Sequence, residues 1–164
     1  MDYRRGLAAA YYQLGDVAHQ LGDEIASQSF FRDCLEIRRA LAAADPTNAR
    51  GQKELITVLP HCGEHAEAAE RAEALQRANP KDQEILIAVA CSYSICAAVP
   101  EDEDLRRRYT AKAIEALEEA VALGFKDVSS LETDLDLEPI RREPGFIKLV
   151  EDLKLGPTDG KAPR

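Results

Sequence analysis

Two histidines and a cysteine fall within five residues at His61-Cys62-Gly63-Glu64-His65, the densest run of side chains in this chain that could do chemistry. Imidazole nitrogens and a thiolate are zinc ligands, and three of them with one open position would make a catalytic centre. Here the spacing is loose, and no fourth ligand follows nearby. A turn between helices, with Cys62 buried and the imidazoles exposed, accounts for the same residues. The sequence therefore predicts no metal, and a small zinc enzyme at His61, Cys62 and His65 stands only as a rival.

Other reactive groups read the same way. Cys34, Cys62, Cys91 and Cys96 include no CxxC pair. Three of them sit in apolar helical patterns, where a free thiol behaves as a small hydrophobe and a reducing compartment is implied. Glu132, Asp134, Asp136 and Glu138 alternate in a proline-containing loop with no geometry for acid–base work, so solvation is expected. Glu101 to Asp104 lack the glycine and ligand spacing of a calcium loop, and read instead as acids at a helix N-terminus. No glycine-rich phosphate loop, nucleophile elbow or kinase motif set is present. The expectation is a protein that is not an enzyme and needs no cofactor.

Composition narrows the partners. A net charge of −9 and a pI near 4.9 argue against a nucleic-acid surface, which needs a basic stripe, and fit solvation or a basic or neutral partner. No run approaches the length of apolar sequence that a membrane helix requires, so no membrane contact and a cytoplasmic location are expected.

The elements that must hold these residues are helices. Alanine is abundant and tryptophan absent, and apolar residues recur at three- and four-residue steps along almost the whole chain. Helices are predicted over 2–20, 24–44, 48–59, 64–78, 82–98 and 105–123, with Gly22, Pro46, Pro60, Pro80 and Gly124 as stops. In the first, Leu7, Ala10, Tyr11, Leu14, Val17, Ala18 and Leu21 form the apolar stripe, and the second is expected to bury Phe31, Cys34, Leu35, Leu41 and, by its stem, Arg38. The fifth, from Ile85 to Ile95, is apolar all round and should be sandwiched between neighbours. After Phe125 the pattern breaks into short helices, and residues 156–164 are rich in glycine, proline and charge and are expected to be disordered.

Asp45-Pro46-Thr47-Asn48 and Asn79-Pro80-Lys81-Asp82 place two prolines 34 residues apart, each after an Ala-rich helix and before a capping residue. Tyr11, Leu14-Gly15, Ala18, Gly22-Asp23, Phe31 and Cys34 form a first unit. Leu55, Leu59, Gly63, Ala68, Ala72, Leu75 and Pro80 form a second, and Leu86, Val89, Tyr93, Ala113, Leu117 and Ala120 a third with an insertion at Pro100. In period and residue type the chain resembles the tetratricopeptide repeat family. Ile37 to Asn48 and Leu135 to Phe146 also resemble repeat regions of bacterial signalling proteins, including those attached to serine/threonine protein kinases, which implies a module cut from a longer chain.

That resemblance implies an all-α, right-handed solenoid of about three helix pairs over 1–124, closed by a helical cap over 125–155. It also implies a protein- or peptide-binding scaffold whose groove is lined by the first helix of each pair. Carried over by position, the groove residues are Tyr12, Asp16 and His19, then Arg50, Lys53 and Thr57, then Glu84, Ile87 and Cys91. One subfamily grips a chaperone carboxylate with Lys and Asn where this chain has Tyr12 and Asp16, so that clamp is excluded. Lys53 and Arg50 are expected to orient an acidic or C-terminal group, with Tyr12 and Ile87 giving apolar contact. The alternative is a homodimer formed through an exposed helix face at the N-terminal end.

Overall fold

The computed structural model describes residues 2–98 and 102–156. Eight α-helices follow one another among the described residues: α1 (Asp2–Gln20), α2 (Glu24–Ala44), α3 (Ala49–Val58), α4 (His65–Ala78), α5 (Gln83–Ala97), α6 (Glu103–Ala122), α7 (Val128–Thr133) and α8 (Pro144–Leu155). Two 3-10 segments, Pro60–Cys62 and Leu135–Ile140, complete them. The architecture is all-α and built as a helical repeat, with α1 on α2, α3 on α4 and α5 on α6, and each pair packed on the next. The tail expected to be disordered lies, beyond Gly156, outside the described residues, as do Pro100 and Glu101.

Side chains close the helix ends as their types dictate. Asp23, Asn48, Asp82, Asp102 and Asp127 each accept a backbone N–H from the first turn of the helix that follows, satisfying donors with no partner inside that helix. Gly22 takes φ 75°, a left-handed conformation that only glycine adopts cheaply, and lets α1 reverse into α2.

Helix α5 is the axis of the fold. Leu86, Val89, Ala90 and Cys96 are fully buried, and α5 is packed against α3, α4, α6 and the Leu135–Ile140 segment. Burying side chains of the Leu86 or Val89 class contributes about 1.5–3 kcal/mol each. The C-terminal elements serve this helix: Leu131, Leu137, Ile140 and Phe146 share one apolar cluster with Ile85, Val89 and Tyr93.

Three sequence expectations change. In α1 the buried set is Ala8, Gly15 and Ala18, while Leu14, Val17 and Leu21 are exposed, because small residues are what let α1 lie close on α2. A Cβ on Gly15 would stand 2.8 Å from the Phe31 ring. Arg38 is buried with its guanidinium and not by its stem alone: Nη1 donates to the Glu54 carbonyl (2.8 Å) and to Thr57 Oγ1 (3.0 Å), and the group lies over the Tyr12 ring. The alternating acids of the C-terminal segment are not all solvated, since Asp136 is 9% exposed.

Candidate functional site

The nine groove residues do not form one surface. Tyr12, Thr57 and Cys91 are spent on internal bonds, and Ile87 is partly buried against the core. At the N-terminal ends of α3 and α5, Arg50 Nε donates to Glu54 Oε1 (2.9 Å) and Lys53 Nζ to Glu84 Oε2 (2.6 Å). Arg5 holds the other oxygen of Glu54 at 3.0 Å. The cations expected to greet an acidic group are therefore already paired within the chain. Asp16 and His19 stand apart from these, near the C-terminal end of α1, where His19 Nδ1 meets Glu24 Oε1 at 3.0 Å.

That end carries a cavity of about 550 Å3. Its walls are Asp16 and His19 of α1, Ser27 and Phe31 of α2, and Pro60 and His61 of the turn between α3 and α4. Ile95 and Ala98 at the end of α5, and Arg106 and Thr110 at the start of α6, close the far side. The chain's own C-terminal segment completes the lining through Leu135, Asp136, Glu138, Pro139 and Glu143. All three helix pairs contribute their turn ends, so stacking of the repeats creates the space.

At the cavity floor the chemistry converges. The Tyr12 hydroxyl donates to Asp136 Oδ2 (2.6 Å), and His61 Nε2 lies 3.0 Å from the Tyr12 oxygen and 3.1 Å from Asp136 Oδ1. Tyr12 has one proton to give, so the network assigns an N–H to His61 Nε2, shared between the phenol oxygen and the carboxylate. The imidazole is stacked on Phe31 with centroids 4.1 Å apart and planes 12° from parallel, while Tyr12 meets it edge-on. Gln28 Nε2 fixes the turn by donating to the His61 carbonyl at 3.1 Å.

Electrostatics set the acids apart. Burial, followed by the nearby Asp136 charge, raises the Asp16 carboxyl to about 6. Burial and Asp136 also push the Tyr12 phenol well above its ordinary value, so it stays a neutral donor. Asp134 is raised by burial and by Asp136, and its carboxylate accepts from Cys91 Sγ at 3.7 Å. The thiols are inert: burial lifts Cys34 and Cys62 to about 11 and Cys96 to about 12.

His61, Cys62 and His65 do not converge. His61 turns into the cavity instead of out to solvent, Cys62 is half-buried, and His65 Nδ1 is buried with no hydrogen-bond partner among the described residues. Sequence reasoning weighed His61 only against its chain neighbours and assigned Asp136 to solvent. The available signal was the Leu135-Asp136-Leu137 run, in which an acid lies between a half-buried and a fully buried leucine and is carried inward with them.

Residues 8–41 match the family model described as tetratricopeptide repeat, one repeat that runs from within α1 to near the end of α2. Repeats of this kind generally mediate protein–protein interaction. Neither a curated protein nor a solved structure matches the chain. Among the described residues no helix is long and apolar enough to cross a membrane.

Proposed function

We propose that this chain is a non-catalytic scaffold that binds a segment of a partner protein, and that the segment enters the cavity with a basic side chain. The observation that carries this reading is the charge of the lining. Asp16, Glu24, Asp136, Glu138 and Glu143 face the space with Arg106 as the one Lys or Arg among its described lining residues. Apolar walls from Phe31, Pro60 and Ile95 supply contact, as in pockets that bind a side chain by shape and a few polar groups. A rigid stack of helices loses little freedom on docking, so contact energy is retained as affinity. Within this reading the module works in the cytoplasm as part of a bacterial signalling protein, which rests on the resemblance of Ile37–Asn48 and Leu135–Phe146. Panning a random peptide library against the full chain tests it. Selected peptides should be rich in Lys and Arg, and the double change Glu138→Lys with Glu143→Lys should weaken them about tenfold. Acidic peptides, or peptides indifferent to that change, would refute it.

A second reading has its own observation. Leu14 (45%), Val17 (50%), Leu21 (79%) and Ile25 (87%) are exposed together where α1 turns into α2. Another copy of the chain covering them would form a homodimer. Light scattering across a wide concentration range should then show a dimer that Leu21→Asp dissolves.

A further inference from the structure

We propose that Asp16, His61 and Asp136 form a binding site for one divalent first-row transition-metal ion at the floor of the cavity. One ligand atom from each lies within 4.8 Å of the other two, so small side-chain rotations bring all three to a common centre at the roughly 2.0–2.2 Å bond lengths of zinc. Two carboxylates and an imidazole suit such an ion better than magnesium or calcium, which prefer all-oxygen shells.

The surroundings are those of a built site. His61 is held by the Phe31 stack and by Tyr12, and Asp136 is 9% exposed and oriented by the Tyr12 hydroxyl. Outer contacts of this sort fix the geometry of metal ligands. Asp16 is half-buried beside Asp136, and no hydrogen bond to its carboxylate is made by any described residue. Arg38 is directed to Glu54, Thr57 and the Tyr12 face, away from that carboxylate. Two carboxylates with one imidazole leave a negative charge that a divalent ion cancels. Binding through Nε2 requires the other tautomer of the neutral ring, so Nε2 gives up its proton as Nδ1 takes one up. The cavity above leaves room for water or a partner's donor atom in the remaining positions.

The three ligands come from α1, the turn between α3 and α4, and the C-terminal segment, so the ion would fasten that segment across the array. This inference goes beyond peptide binding, whose test changes Glu138 and Glu143 and none of the three metal ligands, so either can fail without the other. The test is calorimetric titration of the chelator-treated full chain with Zn2+, paired with Co2+ absorption. One ion per chain is expected, about tenfold weaker in Asp16→Asn and in His61→Gln, with unchanged helix content by circular dichroism. Asp16→Asn keeps the test sharp if His61→Gln disturbs folding. Zn2+ should also slow amide exchange over Leu135–Ile140 in the parent chain and not in Asp16→Asn. The absence of stoichiometric binding, equal affinity in all three proteins, or a sulfur-to-cobalt charge-transfer band placing the ion on a cysteine would each overturn the assignment.

Discussion

The two ends of the repeat stack use their charges in opposite ways. At the N-terminal ends of α3 and α5, every charge singled out by position has a partner: Arg50 and Arg5 share Glu54, and Lys53 holds Glu84. At the turn ends of the helices, Asp16, Glu138 and Glu143 face a cavity of about 550 Å3 and form no hydrogen bond through their side chains with described residues. Surface ion pairs add little stability but do consume binding capacity. The proposed recognition therefore falls at the end where charge is left over.

Substitutions at the two ends should differ in effect, and the largest falls at the cavity. Phe31→Ala removes the ring that is stacked on His61 and fills the space beside Gly15. It should cost about 3–5 kcal/mol in denaturant unfolding. Gly15→Ala comes next. Helix propensity alone predicts a gain of up to about 1 kcal/mol. The Cβ would collide with Phe31, so a net loss of roughly 1–2 kcal/mol is expected, and a net gain would show that α1 and α2 are not closely packed there. Asp16→Asn should stabilise the chelator-treated protein by roughly 1 kcal/mol, because it relieves a half-buried carboxylate, partly screened by solvent, that lies beside Asp136. Glu84→Ala at the opposite end should change stability by under about 1 kcal/mol, since Glu84 is largely exposed.

Helix positions were legible from local rules. The proline spacing, the capping residues Asp23, Asn48 and Asp82, and the all-round apolar α5 each depend on neighbours within a few residues. The site depended on distant ones. Tyr12 and Asp136 are 124 positions apart, and neither the tyrosine nor the acid signals the other. His61 looked like half of a local pair with His65, yet the 3-10 turn rotates it toward Phe31, and only the stacked structure supplies that partner. Positional transfer from a repeat family named Arg50 and Lys53 as binders but could not register that this chain supplies Glu54 and Glu84 to occupy them.

The most direct test sets the two ends side by side with one selected basic peptide in calorimetry. The account predicts about tenfold weaker binding when Glu138 and Glu143 are changed to lysine, and affinity within about twofold of the parent for Lys53→Glu. Loss of binding with Lys53→Glu, and none with the cavity change, would contradict it.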